Sequence, residues 1–144
     1  MERGMTMASC ITSIWSGTTS PQARLTVTLN TSKSDGDTAA LDWVLEYVAH
    51  GYAASATDER SYTVTINGAT VKSGSYSING IKTTQTIASG TTNVAKGATE
   101  KDVSFGVSFA FNLSWSGVYA GTKTASGSIS IPAKTSYTAH PRKL

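Results

Sequence analysis

Three observations predict an all-β protein. Residues 103–113 alternate strictly between apolar and small polar side chains. Ser and Thr together number 42 of 144 residues, while only 15% are charged. Glycine-bearing polar stretches interrupt the apolar runs at short intervals. Short strands punctuated in this way read as a β-sandwich or a partly open barrel. The expected architecture is one antiparallel β-sandwich domain, Ig-like or jelly-roll-like, of about eight strands.

Each element has its own warrant. Residues 10–16 suit a short first strand. Ala23, Leu25, Val27 and Leu29 alternate with Arg24, Thr26, Thr28 and Asn30, giving a second strand. Residues 38–52 satisfy two periods at once. Leu41, Val44, Leu45 and Val48 lie at helical spacing, and Leu41, Trp43, Leu45 and Tyr47 at strand spacing. The β-branched and aromatic content of 43–48 decides for strand. Tyr62, Val64 and Ile66 mark the next strand, Asn67-Gly68 the turn after it, and 70–78 its returning partner. Residues 83–89 and 127–131 are weaker strands. Pro132 ends the last, since proline cannot donate to a ladder.

The strongest strand is 103–113. Val103, Phe105, Val107, Phe109, Phe111 and Leu113 share one parity. Asp102, Ser104, Gly106, Ser108, Ala110 and Asn112 take the other, predicted to face outward. A helix would spread the six apolar side chains around its circumference. Residues 31–37, 53–58 and 89–100 read as connections. The domain is expected over 8–133, with an N-terminal extension at 1–7 and a C-terminal tail at 134–144.

Composition narrows the function classes. One cysteine rules out an intrachain disulfide framework. Cys10 reads as a small buried apolar residue. No run approaches 18 apolar residues, so no membrane insertion is expected. The first residues carry no apolar signal region, which predicts synthesis in a cytoplasm that the protein leaves only through lysis or assembly. The net charge of +3 is small and scattered, so nucleic-acid binding is not predicted.

Chemistry-bearing motifs are sparse. His50 and His140 are the only histidines, and no Gly-x-Ser-x-Gly elbow occurs. Asp35 and Asp37 flank Gly36, a pattern that turns select. The spacing of a calcium loop is missing around them. Asp42 and Glu46 fall on one strand face and read as edge-strand charges. These features predict a protein that is not an enzyme, with no cofactor, catalytic residue or metal site.

The aromatics offer the only contact candidates. Trp115 keeps the parity of Phe109, Phe111 and Leu113, which would make it core. The run 115–119 also reads as a hairpin tip carrying Trp115 and Tyr119. Rings exposed there would stack on a sugar or a partner protein. Trp15, near the end of the first strand, divides between the same two readings. Small, uncharged outer strand faces suit packing against copies of themselves, so assembly is the activity this composition favours.

Residues 61–68 (SYTVTING), 71–77 (VKSGSYS), 87–94 (IASGTTNV), 103–109 (VSFGVSF) and 127–132 (GSISIP) carry a resemblance. Together they resemble a family of tailed-phage minor structural or tail-tip proteins from siphophages and prophages of Gram-positive hosts. The resemblance spans roughly 8–133 and rests on strand-and-turn patterns, not on catalytic motifs. At 96–100 (KGATE) the chain departs from the family's turn. Members are often longer, with further domains after the Ile-Pro.

The resemblance implies a non-enzymatic virion structural protein: a tail or tail-tip component or a decorating subunit. It is expected to be a homo-oligomer that contacts other virion proteins. The alternative is a host-surface carbohydrate-binding adhesin module of a receptor-binding apparatus, with Trp115, Tyr119 and Trp15 as contacts. The resemblance supplies no site residues of its own.

Overall fold

The alternation resolves into eight strands and no helix among the described residues. The computed structural model describes residues 6–13, 21–49, 54–81, 83–115 and 118–135. Side chains at 54–59, 79–81, 114–115 and 118–120 are not described. The strands are β1 (Met7–Ser13), β2 (Gln22–Asn30), β3 (Thr38–Val48), β4 (Ala54–Ile66), β5 (Ala69–Ile81), β6 (Thr84–Ala95), β7 (Lys101–Trp115) and β8 (Val118–Ile131). They form two four-stranded antiparallel sheets, β1-β2-β3-β6 and β5-β4-β7-β8. Here they are called sheet A and sheet B.

The sheets face each other across one core, as a sandwich requires of strands with one apolar face. Leu25, Leu41, Leu45 and Tyr47 of sheet A meet Val64, Phe109, Phe111 and Ile129 of sheet B, all fully buried. Phe109 stacks on Tyr76 at 4.5 Å between ring centroids and meets Phe111 edge-on at 4.9 Å. Stretch 38–48 is a strand because both of its long edges are paired, with β2 and β6. Its helical spacing goes unused.

Register is set by two devices. Asn67 and Gly68 both have positive φ, 57° and 79°, as the tight two-residue hairpin between β4 and β5 requires. Elsewhere, glycines on three edge strands lie directly opposite aromatic residues on their neighbours. The pairs are Tyr62 and Gly74, Trp43 and Gly90, and Phe105 and Gly127. A Cβ on Gly90 would lie 2.9 Å from the Trp43 ring, and one on Gly127 2.9 Å from the Phe105 ring. Each ring covers its glycine, which excludes water from an otherwise bare stretch of strand.

The structure corrects several sequence expectations. The first strand begins at Met7, held by pairing of Met7 with Thr28, and Ser13 is its last described residue. Within stretch 53–58, residues 54–58 are not connection: β4 starts at Ala54 and pairs with the far end of β5, while residue 53 lies outside the described residues. Stretch 89–95 is strand, since β6 follows β3 until Thr38 meets Ala95. Edge position hid it from the sequence, because Val94 is its only fully buried side chain. Ala110, expected outward, is buried. A bulge between Ala110 and Leu113, with Asn112 at φ 47°, breaks the alternation there.

Beyond β8, Lys134 N–H donates to the Gly97 carbonyl at 2.7 Å and Thr135 N–H to the Gly36 carbonyl at 2.9 Å. The segment placed with the tail thus begins by crossing this end of the sandwich. At the opposite end of the sheets lie the strand ends Ser13, Val48, Ile81 and Trp115.

Candidate functional site

Three regions carry the residues singled out by sequence. The first is the β7–β8 hairpin. Trp115 pairs with Val118 and Ser114 with Tyr119, so Trp115 and Tyr119 belong to the last pairs before the tip. Their side chains lie outside the described residues, as do Trp15, His50 and His140.

The backbone beneath the tip is held in an unusual way. Pairing between β4 and β7 stops at Tyr62 and Phe109. Past that point Tyr76 Oη donates to the Ala110 carbonyl at 2.7 Å. Arg60 donates through Nε to the Phe111 carbonyl at 2.7 Å and through Nη2 to that of Asn112 at 3.0 Å. Three carbonyls that the bulge turns out of the ladder are satisfied by two side chains. No motif in the sequence announces this; the Asn at position 112 inside an alternating run was its only signal, and the structure gives it a positive φ.

The second region is the outer face of sheet A. Arg24 reaches Glu46 Oε1 at 2.9 Å. Asp42 accepts from Thr91 Oγ1 at 2.6 Å and from Asn30 Nδ2 at 2.8 Å. Those hydrogen bonds, Thr91 first, hold the Asp42 carboxyl below its ordinary range, with a lesser contribution from the Lys33 charge. Asp42 and Glu46, four residues apart on a strand, are roughly 13 Å apart along it. That exceeds the span of paired glycosidase carboxylates. Each acid is also engaged by its own neighbours. Met7 and Ile11 project from β1 on this face and are exposed. Beside them lies a shallow depression of about 330 Å³ lined by Met7, Ala8, Ser9, Arg24, Thr26 and Glu46.

The third region is the outer face of sheet B, and it carries hydroxyls. Ser73, Thr63, Ser108 and Thr124 form one row across its four strands. Thr70, Thr65, Gly106 and Ser126 form the next. Neither row contains a charge.

The remaining candidates resolve simply. Asp35 Oδ1 accepts from the N–H groups of Asp37 and Thr38, both at 2.8 Å, which is turn chemistry. Cys10 is buried, and burial pushes its thiol up to about 11. The Tyr47 hydroxyl is buried with no hydrogen-bond partner among the described residues, and burial pushes it up to about 12. Among the described residues no group of three His, Cys, Asp or Glu is placed to hold a metal ion. The chain matches no protein-family model, no curated protein and no solved structure.

Proposed function

We propose that the chain is a non-enzymatic structural subunit of a phage virion, a tail or tail-tip component or a decorating subunit. The family resemblance supplies the setting. The observation that carries the reading is the middle of the outer face of sheet B, where two complete rows across the four strands hold only Ser, Thr and Gly, with Asp102 nearer the edge of the face. Such a face approaches a neighbouring subunit closely and leaves no buried charge unpaired. Subunits repeated by symmetry need a surface of that kind.

The test is the composition of particles. Virions from cells encoding the chain are banded by density and their proteins digested and sequenced by mass spectrometry. Peptides of this chain at a fixed ratio to the other particle proteins are expected. Their confinement to the unassembled fraction would overturn the reading.

A second reading has a specific observation behind it. The β7–β8 hairpin carries Trp115 and Tyr119 beside its tip, on a backbone fastened by Arg60 and Tyr76. A fastened tip with two aromatic residues suits a carbohydrate-binding adhesin module, where many weak copies act through avidity. Loss of glycan-array signal in Trp115→Ala, with particle incorporation unchanged, would favour it.

A further inference from the structure

A sandwich of two open sheets has four edge strands, here β1, β6, β5 and β8. Edges present unpaired N–H and C=O groups, and folded proteins block them with charge, brevity or cover. On β5, exposed Lys72 stands opposite buried Val64 beside a bulge at which Val71 packs against the core. On β8, Lys123 is half-buried on the core-facing parity of Ile129 and Ile131, opposite buried Phe109. An incoming strand would have to desolvate either ammonium. Strand β1 is only seven residues long and runs beside β8, where its Ser9 carbonyl lies close to Gly127.

Strand β6 is neither short nor charged, and β5 touches it near its start, where Gln85 Nε2 donates to the Ser77 carbonyl at 3.2 Å. Its twelve residues, TQTIASGTTNVA, include no charge and no proline. Its one irregularity is the register shift opposite Leu45/Glu46, where Ile87 has no partner on β3. From Ala88 to Ala95 the pairing with β3 runs without a break. Among the described residues no strand pairs with its outer edge.

We propose that this outer edge of β6 pairs antiparallel with the β6 of a second copy, so that sheet A continues from one copy into the next. The occupant follows from the chemistry of the edge. A two-fold interface sets the residues nearest its axis against their own copies, so a charge there meets a like charge. An uncharged edge escapes that repulsion, and antiparallel pairing of a strand with itself needs no second sequence. Small side chains, mainly Ser, Thr, Ala and Asn, let the strands reach ladder distance. The inference names a partner for the assembly reading above and rests on that reading for its purpose.

The test is the solution mass of the purified chain by sedimentation velocity, from low micromolar to the highest soluble concentration. A concentration-dependent dimer is expected. Thr92 lies opposite buried Leu41, so Thr92→Lys installs on β6 the inward lysine that β8 has at Lys123. It should weaken dimerisation at least tenfold with the circular-dichroism spectrum unchanged. Thr91→Pro and Thr92→Pro form a second test. Neighbouring amides on a strand point to opposite edges, so one proline breaks the β3 ladder and the other only the dimer. The variant that keeps the parent's unfolding midpoint should be monomeric. A parent that stays monomeric throughout overturns the proposal, as does association that Thr92→Lys leaves intact. Particle composition is read separately, so a monomeric chain found in virions would sink the edge pairing alone.

Discussion

The outer faces of the two sheets solve the same problem differently. On sheet A, side chains join three strands: Arg24 of β2 to Glu46 of β3, and Asp42 of β3 to both Asn30 of β2 and Thr91 of β6. A slip of one residue would break every one of these contacts. On sheet B the two central rows are hydroxyls and glycine, and such a face accepts a slip with little loss. Its register must come from within, from the Asn67-Gly68 turn and from aromatic rings laid over Gly74 and Gly127. The lesson is that inner-face register leaves an outer face free to serve as surface.

The largest expected effect tests that inner control. Gly127→Ala in sheet B and Gly90→Ala in sheet A each force a Cβ to within 2.9 Å of a buried ring. Each should lose about 1–3 kcal/mol in urea unfolding, since well-packed rings yield poorly to added atoms. Gly97→Ala is the control, with no atom nearer than 3.7 Å, and should stay within about 0.5 kcal/mol. If the two ring-facing variants match the control, the glycines do not set register and the contrast between the faces fails.

A smaller effect separates the faces themselves. Arg24→Ala removes a pair whose side chains are 38% and 22% exposed, so solvent screening limits its worth to at most about 1 kcal/mol. That loss should shrink further in high salt. Thr124→Val on sheet B should change stability by less than about 0.5 kcal/mol and show no salt dependence. Equal, salt-independent effects would erase the distinction.

The smallest effect is a pH dependence belonging to sheet A alone. The folded pKa of Asp42 is depressed, so its contribution is present above the unfolded carboxylate value of about 3.9. It is lost as pH falls through the folded value. In acid titrations of stability, Asp42→Asn should therefore flatten part of the decline below about pH 4 and change the slope little at neutral pH. Thr91→Ala, removing the largest cause, should move the Asp42 titration upward by NMR. An unmoved titration would show that the Thr91 contact contributes nothing in solution.

Much of this protein was legible in one dimension. Alternation at 103–113 and 23–30 specified strands because a strand's side chains change face at every residue, whatever the partner. Asn67-Gly68 specified its turn because few residues tolerate two successive positive φ values. The strand at 38–48 was legible only through its β-branched and aromatic residues; pairing on both sides made it definite. What the tertiary structure alone decided is everything that depends on a neighbour. The far half of strand β6, 89–95, became strand because β3 lay beside it, not because its own side chains alternate. The bulge at Ala110–Leu113 exists where β7 parts from β4, and Arg60, about fifty positions away in sequence, meets the freed carbonyls. Glycines 74, 90 and 127 looked like weak points in strands until the register placed a ring over each. Periodicity is a local property of a chain, whereas edges, bulges and ring-on-glycine contacts are relations between distant segments that only the folded register brings together.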